Sequence, residues 1–295
     1  MRDAFSNRHP IVNFIFYIAA IGMGMCFTHP LFLCVSLLLS ITYYHILKRN
    51  TLKYFIGMGG LFLLLSFANP IFSPYGDTVL FIYFHNRIYS YEALCFGFSI
   101  AAMFVSMIVW FSTYNEVMTS DKFLYCFGRL APAVSMILTM MLRLIPNFWR
   151  KTEQIAGARR CIGKSVENGS LYEKIEHGMT IISTLTSWAL EGGVIMADSM
   201  RSRGFGCGKR TSFSIYKLKK SDKCLITVMI VQIFIIILCA VKGGMEAVYL
   251  PTMHIQGFNN IWTILGGIAY LMLLSIPTFL HIWEAIIWRI LKSKI

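Results

Sequence analysis

Apolar residues in this chain come in long unbroken runs instead of the short alternations of a soluble domain. Six runs, at roughly 11–28, 30–47, 52–69, 92–113, 223–241 and 261–288, are long enough as helix to cross a bilayer, which takes about 20 residues. Thr28-His29-Pro30 joins the first two as a tight hairpin, and Pro30 suits the first turn of the second helix. Between the fourth and fifth runs the texture changes. Ile175, Met179, Ile182, Leu185, Ala189, Gly192, Met196 and Met200 recur at steps of three or four, opposite Glu176, Thr180, Ser183, Ser187, Glu191 and Asp198. That period predicts an amphipathic helix or helix pair of about 25 residues, roughly 38 Å long. Upstream, Pro146 is expected to end one apolar run and open a new helix, NFWRKTEQIAGARRCIG, that stops at Gly163.

The pattern predicts an all-α integral membrane protein of about six transmembrane helices, with a long cytoplasmic segment between spans four and five. The expected regions are 1–113, 114–222 and 223–295. Two further runs, Phe123 to Ile145 and Gly178 to Ala197, are also apolar. Eight spans would export Arg150, Lys151, Arg159, Arg160, Lys164 and Lys174, and would sink Arg129, Pro132 and Arg143 into the first of these runs. A central charge costs at least about 2.5 kcal/mol, so six spans are favoured, with these two runs beside or shallowly under the bilayer. After the third run Asn69-Pro70 is expected to break the helix. Val79, Phe81 and Tyr83, then Ile88 and Tyr91 beyond a His85-Asn86 turn, read either as two short strands or as an aromatic-rich interfacial loop.

Composition agrees. Hydrophobic residues make up 56% of the 295 and charged residues 14%, against about 25% charged in soluble domains. The net charge of +13 reflects topology before nucleic-acid binding. With the N-terminus inside, only Arg87 and Lys242 of the 27 Lys and Arg lie outside, as the positive-inside rule requires, and both termini are then cytoplasmic. The eight cysteines show no CxxC and no companion histidine spacing, so neither a metal nor a disulfide framework is expected. The first apolar run continues past Ala19-Ala20 and reads as a retained anchor.

The chemistry-bearing positions are two helix ends. Arg159 and Arg160 precede Gly163, and Arg201 and Arg203 precede Gly204. A basic last turn followed by glycine is also ordinary helix termination, and arginines at a membrane surface also hold anionic lipid heads. The third possibility is that each arginine, a rigid fork of donors, docks in an acidic groove of a partner protein.

At these residues the chain resembles the transmembrane T component of energy-coupling factor (ECF) transporters, the CbiQ/EcfT-like family. LAPAVSMILTMMLRLIP, with Leu142, Arg143 and Pro146, resembles the family's LR-x-x-P helix. Ala158-Arg159-Arg160 resembles its first Ala-Arg-Gly motif, with Arg160 where Gly is usual. Ala197 to Gly206 resembles the second, with Ser202-Arg203-Gly204 where Ala-Arg-Gly is usual. Asn69, Pro70, Phe72, Gly76, Thr78, Leu80 and Phe81 match an outer-loop pattern.

The resemblance implies a scaffold without chemistry, in a prokaryotic plasma membrane, serving uptake of a vitamin or metal ion. Its coupling helices would dock through Arg159 and Arg203 on two ABC-type ATPase subunits, while other surfaces hold a substrate-binding S component and membrane lipid. No cofactor and no nucleic acid are implied. The residues agree with that division of labour: there is no Gly-x-x-x-x-Gly-Lys-Ser/Thr loop, and no acid–base pair or nucleophile triad stands out. A permease with its own solute path would need polar residues along the spans, and a membrane-embedded enzyme would need a candidate acid, base or metal.

Overall fold

The computed structural model describes residues 4–48, 52–72, 78–83, 87–128, 131–164, 170–208, 216–245, 247–249, 254–255 and 260–293. Among these, helices dominate: α1 (Pro10–Cys26), α2 (Pro30–Leu47), α3 (Leu52–Phe72), α4 (Tyr91–Val117), α5 (Ser120–Gly128), α6 (Pro132–Cys161), α7 (Leu171–Ser202), α8 (Lys220–Val241) and α9 (Ile261–Ser293). Two small antiparallel ladders complete them, β1 (Val79–Tyr83) with β2 (Arg87–Ser90), and β3 (Ala247–Val248) with β4 (His254–Ile255). The first is the hairpin read from the alternation at 79–88, although Tyr91 begins α4 instead of closing the strand and the 84–86 turn lies outside the described residues. The second had no signal, being only two residues per strand.

Six helices are long and apolar enough to cross a membrane: Pro30–Leu47, Leu52–Phe72, Tyr91–Val117, Leu171–Ser202, Lys220–Val241 and Ile261–Lys292. This is a multi-pass membrane protein. Five of the six coincide with expected spans. The remaining expected span is α1, at 17 residues a little short of the usual length, and α7 takes its place on length and composition.

The chain divides into two compact units, residues 1–126 with 216–295, and residues 127–215. In the first, α1 and α2 start alike. His9 and His29 cap them by accepting the N–H of Ile11 and Leu31 through Nδ1, each at 3.3 Å, and Pro10 and Pro30 fill the first helical position. The core is an aromatic cluster. Phe5 packs edge-on against Phe16 at 5.2 Å, Phe16 against Trp110 at 5.5 Å, and Tyr17 against Tyr114 at 5.4 Å. Trp110 donates from Nε1 to Ser36 Oγ at 3.1 Å, fully buried, so α4 is fixed to α2 by a bond as well as by shape. Tyr270 brings α9 against Phe27 and Phe32. Above this core, the Tyr249 hydroxyl accepts from Ser99 Oγ at 2.8 Å and donates to the Thr28 carbonyl at 2.9 Å, tying α4 to the α1–α2 turn.

Pro70 lies inside α3, which runs on to Phe72. A proline in the last turn removes only one bond, that to the Ser66 carbonyl, so Asn69-Pro70 does not break the helix there. That carbonyl faces Gly97 of α4, where an added Cβ would come within 2.6 Å of it. Glycine at 97 is what permits this close crossing.

Candidate functional site

The unit of residues 127–215 holds both arginine-bearing helix ends. It is built on α6 and α7. Phe148 packs edge-on against Trp188 at 5.7 Å, the Lys151 ammonium lies 5.6 Å from the Trp188 ring centre, and Arg159 meets His177. Later residues of α6 thus meet earlier residues of α7, and the pair is antiparallel. Ser170 opens α7 with a reciprocal capping box to Glu173.

Two expectations need correction. Pro146 does not divide the segment; α6 is one helix of 30 residues with Pro146 inside it. Proline removes one hydrogen bond and crowds one carbonyl, a local penalty of about 3 kcal/mol, and the strong helix formers on either side, Met140 to Leu144 and Arg150 to Gln154, carry the helix through. The seam of α7 also overlaps the predicted stripe only in part. His177, Gly178, Ile181, Leu185, Trp188 and Ala189 are covered, so the stripe holds at Leu185 and Ala189, whereas Ile175, Met179 and Ile182 are 57%, 61% and 58% exposed.

Both ends close by the same backbone device. In α6 the Gly163 N–H reaches the Arg160 carbonyl and the Lys164 N–H reaches the Arg159 carbonyl, each at 3.0 Å. In α7 the Gly204 N–H reaches Arg201 at 3.0 Å and the Phe205 N–H reaches Met200 at 3.1 Å. Gly163 and Gly204 adopt φ of +76° and +77°, the left-handed turn that this closure requires. α8 ends the same way, at Gly243 and Gly244, so basic-then-glycine termination by itself marks nothing more than a stop.

The arginines differ in what they do there. Arg159 sits three residues inside its cap and is half-buried. Its Nη2 lies 3.1 Å from His177 Nδ1, and because guanidinium only donates, His177 is the acceptor and carries its own proton on Nε2. The Arg159 Nε is buried and has no partner among the described residues. Arg203 is the cap residue itself and is exposed, beside Ser202, whose Oγ donates to the Ser199 carbonyl at 2.9 Å. Ala158 and Arg160 are exposed on the last turn of α6, and Arg143 and Pro146 are exposed along its body. His177 to Arg203 is 26 residues of one helix, which separates the two ends by about 39 Å. His177 gave no sequence signal, since a lone histidine at a helical position is common. No group of metal-ligating side chains occurs among the described residues.

Two curated proteins resemble the chain. An uncharacterized protein, MG181 homolog, of Mycoplasma pneumoniae is 20% identical over 170 residues, 54% of this chain and 39% of that protein. The energy-coupling factor transporter transmembrane protein EcfT of Listeria innocua is 28% identical over 94 residues, 32% of this chain and 36% of that protein. The chain thus spans well under half the length of either relative. No protein-family model matches it.

Proposed function

We propose that this chain is the transmembrane scaffold of an ATP-driven, ECF-type micronutrient importer. It catalyses nothing itself and passes the motion of two ABC-type ATPase subunits to a substrate-binding S component in the plasma membrane. The observation that carries this reading is the spacing of the arginines. Two identically closed helix ends stand about 39 Å apart on one antiparallel pair, far enough for each to engage a separate subunit. Arg159 with Ala158 and Arg160 serves one ATPase; Arg203 with Ser202 and Gly204 serves the other. Arg143 and Pro146 shape the helix that carries the first end. The apolar side chains left uncovered on the pair, among them Val134, Ile137 and Met141 on α6 and Ile175, Met179 and Ile182 on α7, support contact with the S component or lipid, because exposed apolar area of this extent marks an interaction surface. In this reading residues 114–222 face the cytoplasm, with both termini, and the regions 1–113 and 223–295 lie in the membrane.

The test is a detergent pull-down of the tagged chain from its native membranes, repeated with Arg159→Glu and Arg203→Glu combined. The wild type is expected to retain ABC-type ATPases and a small apolar protein; the double variant is expected to lose the ATPases while staying folded, its stability lowered only by about the 1 kcal/mol of the lost Arg159–His177 contact. ATPase retained by a well-folded double variant overturns the anchor assignment. The orientation of α7 is tested separately with single-cysteine variants that keep only Cys161 or Cys207, both exposed. A membrane-impermeant thiol reagent applied from the cytoplasmic side is expected to label both; labelling of one alone means that α7 crosses the bilayer.

A further inference from the structure

We infer that residues Phe5–His9 form a clasp that locks together the two places where the chain passes into and out of the 127–215 unit, so that a displacement of the α6–α7 pair is delivered to α1. Tyr125 stands two residues before that unit and Tyr216 is the first residue after it. Their rings meet edge-on at 5.1 Å, and the His9 ring lies 5.3 Å from Tyr125 and 6.4 Å from Tyr216. His9 thus touches both crossings. Its Nδ1 already accepts the Ile11 N–H as the cap of α1, so in the neutral ring Nε2 carries the proton and donates to the Tyr125 hydroxyl at 3.3 Å.

The neighbouring residues each hold one arm. Arg8 donates from Nη1 to Ser221 Oγ at 2.9 Å and to Asp222 Oδ1 at 3.3 Å. The other Asp222 oxygen accepts the Lys219 N–H at 3.2 Å, so Arg8 grips the carboxylate that caps α8. On the entry side Lys122 of α5 is 7% exposed. Its ammonium donates to the Ser6 carbonyl, to Ser6 Oγ at 3.2 Å and to the Val117 carbonyl at 2.8 Å, which also ties α5 to the end of α4. A buried lysine is retained only where its donors are met, and here Ser6 meets two of them. Phe5, fully buried against Phe16, Tyr17 and Tyr43, anchors the strap in the core of α1 and α2. Within five residues the strap therefore reaches the core, α5, α8 and the start of α1.

The clasp stands on these contacts alone; only the source of the displacement rests on the ATPase reading. Hydrogen exchange on the full chain in lipid nanodiscs tests the clasp. Arg8→Ala cuts only the α8 arm, yet it is expected to raise exchange at least tenfold in α5 as well as at 216–222, leaving α2 to α4 unchanged. Lys122→Met is expected to do the reverse, opening 216–222 from the α5 side, and Arg8→Lys to restore much of the protection. Exchange confined to the arm that was cut overturns the clasp, and if Lys122→Met fails to fold, Arg8→Ala and Arg8→Lys decide it.

Transmission is read in the complex with ATPase, using an environment-sensitive label on Cys26 at the far end of α1. Arg8→Ala is expected to keep the ATPase bound and to cut the ATP-dependent signal at least fivefold; an undiminished signal overturns delivery to α1. Should the wild-type chain bind no ATPase, the proposed function fails and the clasp is judged by exchange alone.

Discussion

The two units of this chain bury the same apolar residue types to different extents. In the unit of 1–126 and 216–295, large side chains interlock: Phe5, Phe16, Tyr17, Tyr43 and Trp110 are each at most 1% exposed. In the α6–α7 pair, Ile181 is the only buried hydrophobic residue among those described, while Trp149, Leu190 and Val194 stand open at 71%, 69% and 62%. One unit is held by its own packing. The other is held by a narrow seam and a few ring and guanidinium contacts, and leaves its remaining apolar area for something else to cover. The difference teaches where rigidity and recognition are divided.

The largest expected effect sharpens that contrast. Trp110→Ala removes the ring that α1, α2 and α4 share and its hydrogen bond to Ser36 Oγ, costing on the order of 3–5 kcal/mol. Trp188→Ala in the helix pair is expected to cost about 1–2 kcal/mol, from one ring contact and one cation–π contact. Denaturant titrations in one detergent compare them, and equal losses would break the contrast.

Next comes Gly97→Ala, whose new Cβ meets the Ser66 carbonyl at 2.6 Å. Overpacking of this kind costs about 1–3 kcal/mol. Gly57→Ala on α3 meets nothing within 4 Å and should gain up to about 1 kcal/mol in helix propensity. Thermal melts of the two variants are expected to shift in opposite directions.

A smaller effect is expected from His177→Ala, which removes the acceptor that holds Arg159. The loss is about 1 kcal/mol, and the clearer readout is faster modification of Arg159 by phenylglyoxal. An unchanged rate would mean that His177 does not restrain it.

The smallest concerns pH. Burial, with the Asp121 carboxylate nearby, raises the Tyr216 phenol above its ordinary 10.0. The folded state then holds this proton longer than the unfolded chain does. The resulting stabilisation is complete below pH 10, and is lost as pH climbs from there through the folded value. Absorbance at alkaline pH should show a late-titrating tyrosine that disappears in Tyr216→Phe.

Much of this architecture was legible in advance, for reasons that also explain the gaps. Unbroken apolar runs and the Pro30 start are local, so α2 and α3 begin where they were expected. Periodicity found part of the seam of α7, at Leu185 and Ala189, but not His177, Ile181 and Trp188, because a helix with apolar residues on more than one face leaves the choice to its neighbour. Pro146 was misjudged because a single lost hydrogen bond is weighed against the whole helix around it. The positions of Arg159 and Arg203 were visible as motifs. Their different environments were not, since a cap register three residues apart and a histidine 18 residues downstream appear only once the chain has turned back on itself.

The strap ahead of α1 also has a consequence for how the protein is made. Arg8 is synthesised 213 residues before Ser221 and 214 before Asp222. At ribosomal speeds of about 5–20 residues per second, on the order of ten to forty seconds pass before its partners exist. During that interval the whole α6–α7 insertion must emerge, with its apolar faces uncovered, while its future fastening waits unpaired. Closing the strap is a late event of biogenesis, and a nascent chain stalled before Ser221 would have entered the membrane without it.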